Sequence, residues 1–355
     1  MKRLIWCVLL TLLFTTSVAA ASSGTCGDNA TWTIEDHTLT ISGTGKIDDR
    51  LYSTWSSLSN SIQTIKIEEG ITAIGMYSFS GLTYVASVSL PSTLKEIGWG
   101  AFEDLRYLYN IEIPQSVTWI DAIAFDNTGW LRRKQAEDPL VVVNDILIDG
   151  IEFEGDILVL PAGLKGMPSQ TFWGNNSFNE VVIQEGIPVL YSQTFSLVNN
   201  MEKVFIPKSV TKIEEDAFEY ISGRVQNIYY AGTMEEWENV EKSSNDFAIL
   251  FSQMHYNATP EDMIFDGEEV IRPSSVERIK AEAFMGDKFS FVYLPDGSKY
   301  VEKDAFKDCP ELKCIHIPES VMSIGNLDER VIICGKKGSY AERFAKENKN
   351  MFVEE

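Results

Sequence analysis

The sequence has few residues of the types that usually carry out chemistry. It contains three histidines, His37, His255 and His316, and five cysteines in 355 residues. No histidine lies beside a candidate nucleophile, and the chain has no G-x-S-x-G, H-E-x-x-H, P-loop or Cys-x-x-Cys motif. The EF-hand spacing for calcium is also missing. We therefore assign no catalytic residue, no metal ligand and no cofactor, and we expect a protein that is not an enzyme.

Basic residues are scarce as well. Lys and Arg number 30 against 52 Asp and Glu, which gives a formal net charge of −22. Phosphate recognition requires a basic patch, so this balance argues against nucleic acid and anionic membranes as partners. One local cluster, Arg132-Arg133-Lys134, is a weak candidate contact site or, more simply, a set of solvated loop charges.

Long apolar runs are missing after the first residues. The run from Leu4 to Phe14 is about 11 residues, whereas a membrane span needs roughly 20. Met1-Lys2-Arg3 precedes this run, and Ala19-Ala20-Ala21 follows it, a pattern typical of an export signal. We predict that residues 1–21 are a signal peptide, that the mature chain has no transmembrane segment, and that it is extracellular or associated with the cell surface.

What the sequence does contain is a pattern repeated at steps of 23 residues. A strand-like triplet, first Ile65-Lys66-Ile67, is followed by an isoleucine and then by a phenylalanine. A unit of this size cannot bury its apolar face alone and must stack on its neighbours. We predict a repeat solenoid with one long parallel concave sheet, short turns or helical pieces on the convex side, and caps at both ends. The recurring phenylalanines are Phe79, Phe102, Phe125, Phe172, Phe195, Phe218, Phe284 and Phe306.

The interruptions of the pattern predict the organisation of the chain. Residues 22–58 should form an N-terminal β-hairpin cap, and residues 59–226 the first repeats, with a hairpin insertion at about 130–154. Residues 227–258 should form a strand and a short helix, which a Thr233-x-x-Glu236 capping box begins. Further repeats follow over 259–326, and a strand and a helix over 327–355 close the chain.

The sequence resembles a known family over nearly all of residues 24–348. The segment Gly24-Thr25-Cys26-Gly27-Asp28-Asn29, the Pro-Ser-Thr-Leu-Lys-Glu-Ile-Gly unit at 91–98 and the Ala-Phe units look like BspA-type leucine-rich repeats. This resemblance implies a leucine-rich-repeat solenoid and a role in adhesion to host matrix or to cells. The family often places a cysteine three residues after the Ala-Phe phenylalanine, and here only Cys309 keeps that place.

Four cysteines remain once residues 1–21 are removed: Cys26, Cys309, Cys314 and Cys334. Four cysteines allow three disulfide connectivities, and the sequence does not choose among them. From the repeat register we expect Cys314 and Cys334 to lie about 13 Å apart, beyond bonding reach.

The middle residue of each strand triplet should point to solvent on the concave face. This column is polar at Lys66, Ser89 and Glu112 and then becomes apolar or aromatic. An exposed apolar stripe tends to mark an interaction surface, and aromatic side chains are favoured anchors. The predicted binding face consists of Val159, Val182, Phe205, Tyr229, Ile271, Phe291, Tyr293 and His316.

Two other interpretations of this column remain open. Flanking insertions would bury it if they fold over it, and parallel strands favour such residues in any case. If the column is exposed, we expect a protein partner. The alternative is a carbohydrate-binding module that uses aromatic rings such as Tyr229 and Tyr293.

Overall fold

The computed structural model describes residues 22–55, 57–218, 225–242, 252–266, 270–271 and 277–355. The predicted signal peptide lies outside these residues. Within them the 23-residue pattern forms stacked coils, most of which have a strand in a main sheet and a short strand in a second sheet. Among the described residues, none of the helices has the length and hydrophobicity to span a bilayer.

The N-terminal part begins with an antiparallel unit, onto which the first repeats stack in parallel. Its main sheet has the order β1-β2-β3-β5-β7, and its second sheet the order β4-β6-β8-β9. The predicted hairpin strands lie within β2 and β3, whereas β1 was not predicted. The elements are β1 (Ser22–Gly27), β2 (Ala30–Glu35), β3 (Thr38–Gly43), β4 (Gly45–Lys46), α1 (Tyr52–Trp55), β5 (Thr64–Ile67), β6 (Ile71–Ile74), β7 (Ser87–Ser89), β8 (Glu96–Ile97) and β9 (Trp119–Ile120).

The middle part starts with the insertion, and five parallel strands then form its main sheet. The orders are β12-β13-β15-β17-β19 in the main sheet and β14-β16-β18 in the second. The elements are α2 (Gly129–Glu137), β10 (Val141–Val143), β11 (Ile146–Asp149), β12 (Ile157–Val159), β13 (Glu180–Val182), β14 (Val189–Leu190), β15 (Lys203–Ile206), β16 (Lys212–Ile213), β17 (Asn227–Tyr230), α3 (Met234–Glu238), β18 (Glu241–Lys242) and β19 (Gln253–Tyr256).

The C-terminal part has a third main sheet of order β20-β22-β24-β26-β27 and a second sheet of order β21-β23-β25. Ser339 caps the last helix, but the strand after this helix was not predicted. The elements are α4 (Pro260–Ile264), β20 (Val270–Ile271), β21 (Arg278–Ile279), β22 (Phe291–Tyr293), β23 (Tyr300–Val301), β24 (Cys314–His316), β25 (Ser323–Ile324), β26 (Ile332–Gly335), α5 (Tyr340–Asn348) and β27 (Phe352–Glu354).

One expectation about the architecture is therefore wrong. The concave strands form three separate sheets and not one, because the pairing stops after β7 and again after β19. At the first break, Ile111-Glu112-Ile113 is not a strand, and the insertion follows it. On the other side of the coils the turns that were expected are present, and beside them lie short parallel strands that were not predicted.

The recurring phenylalanines form ring stacks through the core. Phe79, Phe102 and Phe125 follow one another with centroid distances of 5.6 and 5.5 Å, and Phe195 lies 5.4 Å from Phe172 and 5.3 Å from Phe218. Nearly parallel rings at this spacing pack in an offset arrangement that aromatic pairs favour. The stack therefore fixes the step between coils.

The turn before each ring has an unusual backbone. The residue two positions before the phenylalanine has a positive φ in eight coils, although only Gly100 among these residues is a glycine. This left-handed conformation costs an ordinary L-residue about 1–2 kcal/mol, so packing of the ring after it must compensate. The eight residues are Tyr77, Gly100, Ile123, Gln170, Gln193, Asp216, Glu282 and Asp304.

The insertion begins where the repeat pattern loses its apolar residue after Phe125. Thr128 is buried there and caps α2, because its Oγ1 accepts a hydrogen bond from the Leu131 N–H at 3.0 Å. The basic cluster 132–134 thus lies on a helix and not in a loop. Strands β10 and β11 form an antiparallel hairpin around Asn144 and Asp145, whose φ values of 50° and 65° suit a tight turn.

Candidate functional site

The concave faces of the middle and C-terminal main sheets lie against each other. One buried cluster contains Val182 and Phe205 from the middle sheet, Phe291 and Ile332 from the C-terminal sheet, and Met263 of α4. At the margins, Lys313 Nζ lies 2.6 Å from Asp156 Oδ2, and Gln184 Nε2 donates to the Phe352 carbonyl at 3.1 Å. The chain therefore folds back on itself and closes this part of the concave surface.

The predicted binding face lies inside this closed interface. Of its members, Val159, Val182, Phe205, Tyr229, Phe291 and His316 are each at most 5% exposed. Tyr293 is half-buried, and the side chain of Ile271 is outside the described residues.

The expectation that this column faces solvent is therefore wrong for those six residues. The interpretation in which other segments cover the column describes the structure better, since both α4 and the C-terminal sheet lie on it. An apolar column indicates burial, and the strand pattern cannot tell which surface buries it. Lys66, Ser89 and Glu112, in the N-terminal part, are exposed as predicted.

Polar contacts hold α4 and the residues after it on the middle sheet. Lys203 Nζ lies 3.1 Å from Glu180 Oε1 and donates to the Met263 and Asp266 carbonyls at 3.3 and 3.0 Å. Tyr229 donates its hydroxyl proton to Asp266 Oδ2 at 2.5 Å. Burial and this carboxylate raise the pKa of Tyr229, so its phenol stays a donor.

A second polar group lies on the C-terminal side of the interface. His316 stacks on Tyr293 with ring centroids 3.7 Å apart. Its Nδ1 lies 2.7 Å from Glu261 Oε1 and 2.9 Å from Glu355 Oε1. Burial raises the pKa of Glu355, while His316 acts in the opposite direction.

The donor atoms of Glu261, His316 and Glu355 lie within 4.8 Å of one another. An imidazole and two carboxylates could hold a divalent cation such as Zn²⁺, and an imidazolium would pair with both carboxylates equally well. This cluster was not predictable from local sequence patterns, because its members come from α4, β24 and the last residue, Glu355.

The predicted separation of Cys314 and Cys334 is wrong. Their Sγ atoms lie 3.0 Å apart, and both side chains are fully buried. The reason is register: Cys314 lies opposite Ile332 across β24 and β26, so Cys334 is only two residues further along the neighbouring strand. An even offset keeps both side chains on the same face of the sheet.

An exposed aromatic surface that was not predicted lies in the N-terminal part. Tyr84, Tyr107 and Tyr109, here called the tyrosine patch, are 51%, 52% and 52% exposed. The rings of Tyr84 and Tyr107 stack at 6.0 Å with 16° between their planes. The sequence does contain a sign of this surface, because Tyr84 and Tyr107 occupy the same position in two consecutive 23-residue repeats.

The tyrosine patch adjoins the exposed side of α2. The ring of Tyr109 lies so close to Gly129 that a Cβ there would come within 2.5 Å of it. Arg133 donates to Asn110 Oδ1 at 2.7 Å, and Arg132 donates to the Arg106 carbonyl at 3.4 Å. Exposed tyrosines and exposed arginines thus share one surface of an otherwise acidic chain.

The stacked parallel strands and ring ladders define a leucine-rich-repeat type of fold. A family model described as "BspA type Leucine rich repeat region" matches residues 49–138, 156–240 and 266–327 in six copies. These ranges make up more than half of the sequence, and the chain belongs to the BspA-type leucine-rich repeat family.

Comparison with solved structures finds similar bacterial proteins. A leucine-rich repeat protein from Eubacterium ventriosum ATCC 27560 has 18% identity and a TM-score of 0.31, with 90% of this chain and 73% of that chain covered. A leucine rich cell surface protein from Faecalibacterium prausnitzii A2-165 has 16% identity and a TM-score of 0.25, with 94% of each chain covered. The pneumococcal vaccine antigen PcpA has 14% identity and a TM-score of 0.22, with 94% and 98% covered. No curated protein matches the chain significantly. Similarities at this level define no function for this chain.

Proposed function

We propose that the chain is an exported or cell-surface binding protein without enzymatic activity, and that it attaches to a protein of host matrix or of another cell. The observation that carries this proposal is the tyrosine patch, whose three rings are each about half exposed. Tyrosine gives a large contact area at low conformational cost and is enriched among the residues that dominate binding.

The open concave surface of the N-terminal part extends this contact area. The patch residues lie just before the segments that carry Ser89 and Glu112, which are both exposed. In this proposal the closed column around Phe205 stabilises the arrangement of the sheets, and the partner is held elsewhere. Arg132 and Arg133 beside the patch favour a partner with carboxylates around an apolar centre.

The test is binding of the chain from residue 22 onward to an array of matrix proteins and to cells. The double variant Tyr84→Ser/Tyr107→Ser should lose at least about tenfold in affinity, since anchor residues typically contribute 2 kcal/mol or more. Tyr52→Ser is the matched control, because Tyr52 is 49% exposed but lies on α1 and outside the patch. Unchanged binding by a folded double variant would refute the assignment.

A carbohydrate ligand is the second candidate, and one observation favours it. Nearly parallel, exposed rings of Tyr84 and Tyr107 with polar neighbours form a platform on which sugar rings could stack. The same variants on a glycan array distinguish the two candidates. Glycan binding that the double variant loses and the Tyr52→Ser control keeps would replace the protein partner with a sugar.

A further inference from the structure

We propose that Cys314 and Cys334 form a disulfide bond that links β24 to β26. Their sulfur atoms lie 3.0 Å apart, and a disulfide bond is about 2.05 Å long, so the two atoms need to approach by about 1 Å. Both residues point to the same face of neighbouring parallel strands. The inference rests on the proposed export, because disulfides persist in oxidising compartments.

The other two cysteines offer no competing partner within the described chain. Cys26 is buried in the core of the N-terminal part. Cys309 is buried in a different core, where its thiol donates to the Phe284 carbonyl at 3.0 Å. All three connectivities that the sequence left open pair Cys26 with another cysteine, and the structure brings none to it. The structure therefore supports a single link, 314–334, with Cys26 and Cys309 as free thiols.

The location of the pair sets the time at which the bond forms. Cys314 and Cys334 belong to the cluster that lies between the middle and C-terminal sheets, and neither is exposed. Burial, followed by the neighbouring Cys314, raises the pKa of the Cys334 thiol well above its ordinary value. Because a thiolate is the attacking species, oxidation is fast only before the two sheets close.

The chemistry requires an oxidant of the disulfide class, such as oxidised glutathione or a thiol-disulfide oxidoreductase. One cysteine loses its proton and attacks the oxidant's disulfide, which gives a mixed disulfide and releases the first oxidant thiol. The second cysteine then loses its proton, attacks the mixed disulfide at the first cysteine's sulfur and releases the second oxidant thiol. Two electrons pass from the protein to the oxidant, and two protons end on its thiols.

The link would stabilise the end of the chain. It closes a loop of about 20 residues and so restricts the unfolded state, an effect that corresponds, for a chain of this length, to an increase of about 4–5 °C in melting temperature. It would also hold β26 in register beside β24 while the last helix and the last strand pack.

The experiment is refolding of the chain from residue 22 onward in a glutathione redox buffer, followed by alkylation in denaturant and mass spectrometry. We expect two alkylated cysteines without reductant, Cys26 and Cys309, and four after reduction. The variant Cys26→Ala/Cys309→Ala should take up no alkyl group before reduction and two afterwards. The variant Cys314→Ala/Cys334→Ala should melt at the lower temperature and should not respond to reductant.

Four alkylated cysteines after oxidative refolding would overturn the link. Export is judged separately, from cleavage of the chain near residue 22 in the producing cell, so that either proposal can fail alone. Timing has its own readout: oxidised glutathione added to the folded, reduced protein should form the bond at least tenfold more slowly than during refolding. Equal rates would refute the argument from burial.

Discussion

Asp149 gives a sharp test of the electrostatics of the insertion. It lies on β11 and is 8% exposed, and Gln135 Nε2 donates to its Oδ1 at 3.0 Å. Burial raises the pKa of this carboxyl from 3.8 to about 6, although the hydrogen bonds from Gln135 and from the Ile151 backbone act in the opposite direction. In the folded protein these hydrogen bonds therefore offset only part of the cost of burying the ionised carboxylate.

The magnitude and the sign follow from linkage. The folded-state pKa is about two pH units above the ordinary value, and each unit corresponds to about 1.4 kcal/mol, so ionisation of Asp149 costs the folded state about 3 kcal/mol. Between about pH 4 and pH 6 the folded state binds more protons than the unfolded state. The contribution of this group to stability is therefore greatest below pH 4, falls as the pH rises to 6, and is constant above that.

The substitution Asp149→Asn keeps the shape and the acceptor oxygen but removes the charge. It should increase the free energy of unfolding at pH 8 by up to about 3 kcal/mol and change it much less at pH 4. Urea unfolding at several pH values measures the difference, with Glu154→Gln as the matched control, because Glu154 is exposed and is not among the groups that raise the pKa of Asp149. A difference that does not depend on pH, or a variant that is less stable at pH 8, would refute this reasoning.

Three further predictions concern packing. Gly100→Ala should be more destabilising than Gly163→Ala by about 1–3 kcal/mol. Both glycines have positive φ, but only a Cβ at position 100 would meet a ring, that of Tyr77 at 2.4 Å. Equal losses of stability in urea unfolding would contradict this. Phe102→Ala should cost about 3–5 kcal/mol by chemical denaturation, because Phe102 is fully buried in the ring stack. Phe205→Ser should also cost about 3 kcal/mol and should leave partner binding by the folded fraction unchanged. Loss of binding in this variant would indicate that the binding site includes the column around Phe205.

The repeat fold was predictable because its signals are local. Spacing, the phenylalanine positions and the Thr233 capping box depend on neighbouring residues, and the helix that Thr233 begins has both hydrogen bonds of that motif. The closed interface was not predictable in the same way. A column such as Val159 and Val182 has the same composition whether solvent, an insertion or a second sheet lies over it.

Two other features that were not predicted, the cysteine pair and the tyrosine patch, have separate physical causes. Cys314 lies close to Cys334 because the paired strands β24 and β26 are separated by fewer residues than one 23-residue repeat. A prediction that assumes a constant 23-residue period places the two cysteines too far apart. Tyr84 and Tyr107 were visible at one repeat position. That position, however, lies between the strand triplets, so the column of strand residues does not include these tyrosines.

The closure of two sheets on each other also limits how this protein can change by duplication. A solenoid gains or loses whole repeats easily when each coil contacts only its neighbours. Here an added repeat in either sheet would displace its strands by about 4.8 Å per row and separate Lys313 from Asp156 and Gln184 from Phe352. The N-terminal coils have an open face at Lys66 and Ser89, so differences in repeat number among relatives should concentrate there.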